Sequence, residues 1–267
     1  RASDSTTDSV DVTLTNTDSA TNRFSGTITL NDEETITIDM TGGDTAAPQI
    51  VADLDASDAT TVTFTNDDTY VAANDFSLTA NSIRSGAVID FSGVSQDIGT
   101  AAANINIASA DEAGAGTGNV ATAAAAMGTD GFTAVNTGSY TIKLGDGRTN
   151  ANHTTTINLG ETNTGADTIE FVNLGSDATN DIGIVVIDNF EEVATSIATN
   201  RTVIDFSAFA GIQQLTDLTL TAGELDNDEA VTVIGSEGTD ADDFLGTITV
   251  LGVAAASFEA GDFTFAS

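Results

Sequence analysis

The chain of 267 residues has no cysteine, no tryptophan, one proline and one histidine. Without cysteine, it cannot belong to the small secreted domains that disulfides hold together. The single histidine, His153, has no cysteine or second histidine with which to share a zinc ion. Any Ser-His-Asp triad would also have to use His153, and the nucleophile motif Gly-x-Ser-x-Gly is missing. These absences predict that the chain is not an enzyme.

Positive charge is scarce too: 6 Lys and Arg stand against 41 Asp and Glu, which gives a formal net charge of -35. A surface this acidic repels nucleic-acid phosphates and anionic lipid head groups. No apolar run approaches the roughly 18 residues that a membrane-spanning helix needs. We therefore expect no nucleic-acid partner and no membrane insertion. The folded chain also repels itself, so salt or a multivalent cation must compensate its charge.

Hydrophobic residues are plentiful, at 40% of the chain, and they alternate with threonine and aspartate. Val10, Val12 and Leu14 begin this pattern, and Ile36 and Ile38 continue it. Alternation with a period of two is typical of strands with one buried face. The sequence therefore predicts an all-β fold of many short strands, in β-sandwich domains, β-solenoid domains or both.

Two features concern the organisation of the chain. The segment Val-Ile-Asp-Phe-Ser occurs at residues 88–92 and again at 203–207, which fits a repeated strand-and-turn unit, although no clean repeat period emerges. Residues 99–131 are rich in alanine and glycine. We interpret them as a linker or loop between an N-terminal β domain at 1–98 and a C-terminal β domain at 132–267. A long loop inside one domain is the alternative.

Aspartates next to glycines form the sharpest local signal. Residues 165–171, Gly-Ala-Asp-Thr-Ile-Glu-Phe, resemble the second half of the nonapeptide repeat of RTX proteins, and residues 144–147, Leu-Gly-Asp-Gly, match it more weakly. The similarity continues through residues 186–190 and 203–209 to Gly-Asp-Phe-Thr-Phe at 261–265. In this order the segments resemble the C-terminal regions of RTX-type bacterial proteins exported by type I secretion, over roughly residues 140–267.

The resemblance implies an uncleaved C-terminal export signal and Ca²⁺ as the bound ion. In the RTX repeat, glycine opens a tight turn and aspartate supplies oxygen ligands to Ca²⁺. The metal-site residues that follow from it lie in acidic turns: Asp146, Gly147, Gly165, Asp167, Asp188 and Asp205. Plain solvated turns are the alternative for each of them.

The first half, rich in threonine, alanine and aspartate, is most similar in composition to bacterial S-layer proteins. We expect an extracellular structural protein at the bacterial cell surface that self-assembles into a calcium-stabilised layer or filament. Its partners would be copies of itself, with a surface polysaccharide as a candidate anchor. One alternative is a non-catalytic calcium-binding module of a type I-secreted adhesin or hydrolase. Another is a protein of a salt-loving organism, in which acidity provides solubility in brine.

Overall fold

The computed structural model describes residues 7–16, 24–42, 50–66, 76–84, 86–93, 103–107, 135–136, 139–145, 154–159, 162–163, 165–173, 184–190, 201–225, 229–235 and 246–267. These residues form two large β-sheets and one small one. The all-β prediction is therefore confirmed. Asp146, Gly147 and His153 lie outside the described residues.

Sheet A has eight strands, in the order β1 (Ser9–Asn16), β3 (Thr35–Gly42), β5 (Thr61–Asn66), β7 (Val88–Gly93), β10 (Thr141–Gly145), β13 (Thr168–Val172), β15 (Val203–Asp205) and β19 (Phe263–Thr264). Sheet B has nine, in the order β16 (Thr219–Leu225), β17 (Glu229–Gly235), β18 (Thr247–Leu251), β14 (Ile184–Asp188), β11 (Thr154–Asn158), β8 (Ala103–Ile107), β6 (Phe76–Ile83), β4 (Ile50–Ala56) and β2 (Phe24–Thr29). The small sheet pairs β9 (Val135–Asn136) with β12 (Thr162–Asn163).

The chain winds back and forth between sheets A and B. Apart from the small sheet and the β16–β17 hairpin, successive strands alternate between the two sheets, and each pairs in parallel with the next strand of its own sheet. We call one sheet-A strand with the sheet-B strand that follows it a coil. Parallel pairing between neighbouring coils is the connectivity expected for the solenoid alternative. A sandwich built from antiparallel hairpins would pair consecutive strands instead.

The coils repeat every 26 residues at the start of the chain. Ser9 pairs with Thr35, and Thr35 pairs with Thr61. Side-chain hydrogen bonds between coils keep the same spacing, since the Thr65 hydroxyl donates to Asp39 Oδ1, 26 positions earlier. The first coils therefore have a regular period of 26 residues. This period is interrupted later in the chain, where Thr141 pairs with Val88, 53 positions earlier (141 − 88).

The inward-facing side chains of both sheets form one hydrophobic core. On sheet A the residues Ile89, Ile142, Ile169 and Ile204 are neighbours in register and fully buried. Two residues after Ile89, Ile169 and Ile204, phenyl rings stack on the same face: the ring centres of Phe171 and Phe206 are 5.6 Å apart, and Phe91 stacks on Phe64 of β5 at 4.5 Å. Burial of each such side chain contributes about 1.5–3 kcal/mol. The repeated Val-Ile-Asp-Phe-Ser segment therefore marks the same coil position twice.

Both sheets continue across the segment 99–131. In sheet A, β7 pairs directly with β10, and in sheet B, β8 lies inside that segment and pairs with both β6 and β11. Continuous sheets favour the alternative of a long connection within one domain. The division into two domains at 1–98 and 132–267 stays a prediction.

The C-terminal end of the coil carries a hairpin and three short turns. The antiparallel hairpin β16–β17 extends sheet B beyond β18, and the 3₁₀ turns η1 (Leu215–Asp217), η2 (Ala255–Ser257) and η3 (Ala260–Asp262) lie in this region. Phe209, Ile212 and Phe258 add buried side chains to the core, and the Ala266 N–H donates to the Ile212 carbonyl. Residues 207–214 form turns rather than a helix. Turn bonds from Phe209 N–H to Phe206 O and from Ile212 N–H to Phe209 O occupy that stretch instead.

Candidate functional site

The described members of the predicted metal set lie at three different strand ends. Gly165 and Asp167 precede β13 in sheet A, Asp188 ends β14 in sheet B, and Asp205 ends β15 in sheet A. Within the described parts of the chain, no group of three or more His, Cys, Asp and Glu side chains is placed to hold a metal ion. The calcium ligands stay a prediction.

Asp167 is a buried carboxylate that links two coils. Its side chain is 1% exposed, and Oδ1 accepts a hydrogen bond from the Tyr140 N–H at 2.9 Å. Next to it, the Ala166 N–H donates to the Ser139 hydroxyl at 2.9 Å. A charged acceptor makes such a bond stronger than a neutral one. Asp167 therefore satisfies a backbone donor of the preceding coil, whatever else it binds.

Glu34 repeats this arrangement near the N-terminus. Its Oε2 accepts the Asp8 N–H at 2.8 Å. Glu34 lies directly before β3 and accepts the N–H of the residue directly before β1. In the same way, Asp167 lies directly before β13 and accepts the N–H of the residue directly before β10. The sequence carries a signal for this role that was overlooked, namely an acidic residue followed by Thr-Ile at 34–36 and again at 167–169.

Asp188 and Asp205 each end a strand and accept a hydrogen bond from a backbone N–H in the turn that follows. Asp188 Oδ1 accepts the Asn189 N–H at 2.9 Å, where Asn189 adopts a left-handed φ of 62°. Asp205 Oδ1 accepts the Ser207 N–H at 2.7 Å, and Asp90 accepts the Ser92 N–H at 2.8 Å in the same way. Such turns stabilise the exit from a strand without any ion. At Asp188 and at Asp205, therefore, the carboxylate has a structural role in a turn, which is the alternative to a calcium ligand that the sequence left open.

A row of charged side chains crosses the outer face of sheet A. Asp90, Lys143, Glu170 and Asp205 are direct neighbours in register. Lys143, the one lysine of the chain, forms an ion pair with Glu170, with Nζ and Oε1 2.9 Å apart and both side chains 27% exposed. The row therefore holds three carboxylates and one ammonium group, and it remains net negative.

The pKa values of two carboxyl groups move in opposite directions. Burial raises the pKa of Asp55, which lies near the end of β4. Hydrogen bonds lower the pKa of Asp217, chiefly that from the Gln213 N–H at 2.9 Å, with the Gln214 side chain and N–H contributing. Asp217 caps the turn η1, so its charge stabilises that turn.

At the N-terminal end of the coil, β1 is the outermost strand of sheet A and β2 the outermost strand of sheet B; at the other end the outermost strands are β19 and β16. Apolar side chains of β1, β2 and the next turn are only partly buried, although they pack against the core: Val10, Val12, Leu14, Ile28 and Leu30. We call the outer edges of β1 and β2, with these side chains, the open end. Exposed parallel edge strands are templates for pairing with another chain.

Comparison with known proteins adds no family. No protein-family model, no curated protein and no solved structure matches this chain. Among the described residues, no helix is long and apolar enough to cross a membrane.

Proposed function

We propose that this chain is an extracellular structural protein of bacteria that self-assembles into a calcium-stabilised surface layer or filament. The observation that carries the proposal is the open end, where the outermost strands of both sheets lie and their apolar side chains are only partly buried against the core. A partner that continues both sheets would satisfy the backbone groups of these edges and complete the burial of the apolar side chains.

The net charge of -35 gives this assembly its dependence on cations. Two copies that approach each other repel, because few positive side chains offset the carboxylates. Monovalent salt screens such repulsion, and Ca²⁺ both neutralises carboxylates and bridges them through its oxygen ligands. A surface polysaccharide stays a candidate anchor for the assembled layer.

Negative-stain microscopy with light scattering tests the proposal. The purified chain is compared in excess EGTA, in millimolar CaCl₂ and in millimolar MgCl₂, with NaCl added to match the ionic strength. We expect ordered sheets or filaments with Ca²⁺ that dissolve in EGTA. Equal assembly in NaCl alone would favour the brine-solubility alternative, and a monomer under every condition would refute self-assembly.

The second candidate function is a non-catalytic calcium-binding module of a longer type I-secreted adhesin or hydrolase. The open end favours it as well, since a further coil of the same chain would cover β1 and β2 in the way that β3 and β4 cover their neighbours. A stable, calcium-binding monomer in the experiment above would support this candidate.

A further inference from the structure

We draw no further inference here: the strongest candidate, the threonine-rich outer face of β1, β3 and β5 in sheet A, where Thr37 and Thr63 are neighbours in register, is a periodic surface of small polar side chains, and nothing in the structure shows what covers it.

Discussion

Replacement of Thr155 by valine should stabilise the protein. Thr155 lies on the inner face of β11, between Ala103 of β8 and Val185 of β14, and it is 1% exposed. Its hydroxyl has no hydrogen-bond partner within the described parts of the structure. A buried polar group without a partner costs about 1–3 kcal/mol. Valine has nearly the same shape and similar strand propensity, so Thr155→Val should remove most of that cost.

We expect Thr155→Val to raise the free energy of unfolding by about 1–2 kcal/mol. The matched control is Thr65→Val, since the Thr65 hydroxyl donates to Asp39 Oδ1 at 2.9 Å, and its loss should cost about 1 kcal/mol. Urea unfolding at fixed salt and Ca²⁺ gives both values, provided that the slope m stays constant. Equal destabilisation by both variants would show that the Thr155 hydroxyl is satisfied, and the reasoning would be refuted.

Three further results are expected. Asp167→Ala should lower the free energy of unfolding by about 2 kcal/mol, measured in urea, because it leaves the Tyr140 N–H without its acceptor. This decrease should be equal in CaCl₂ and in EGTA. A decrease seen only in CaCl₂ would show that Asp167 is a metal ligand instead. The pKa of Asp217 is lowered in the folded state, so its charge contributes stability that is present above the unfolded pKa and is lost as the pH falls through the folded pKa; Asp217→Asn should therefore flatten the acid limb of a plot of unfolding free energy against pH. The pKa of Asp55 is raised in the folded state, so its ionisation opposes folding, and Asp55→Asn should stabilise the protein only above the acid range. Lys143→Met should cost no more than about 1 kcal/mol, as is usual for partly exposed ion pairs, and a cost that does not shrink in high NaCl would contradict a screened interaction.

Period-two alternation predicted the all-β fold, because it reports which face of each strand is buried, although β8 lies inside the segment 99–131 that the sequence suggested to be a linker or loop. It could not reveal how strands pair, since parallel and antiparallel strands share that period. The coil period was hidden by unequal connections. The insertion between β8 and β10 lengthens the spacing from Val88 to Thr141 in sheet A and from Ala103 to Thr155 in sheet B alike. A further 35 positions separate Thr168 from Val203 (203 − 168).

The candidate site was less predictable for a chemical reason. A carboxylate oxygen is a good ligand for Ca²⁺ and an equally good acceptor for a backbone N–H. The segment around Asp167 fits both roles, and residue order alone does not say which donor lies nearby. The donor that the structure places beside Asp167 is the Tyr140 N–H, 27 positions earlier. Only knowledge of the coil spacing brings those two residues together.

The internal use of these carboxylates bears on where calcium would act. Glu34, Asp167, Asp188 and Asp205 all accept backbone N–H groups of the chain itself. These bonds need no ion, so they support the described strand ends whether or not Ca²⁺ is bound. The net charge of -35, by contrast, makes any two copies of the chain repel each other. Under the proposed function, we therefore expect EGTA to dissolve the assembly while the β-sheet circular dichroism of the released chain persists. Simultaneous loss of both signals would place calcium inside the fold, at turns such as those predicted around Asp146.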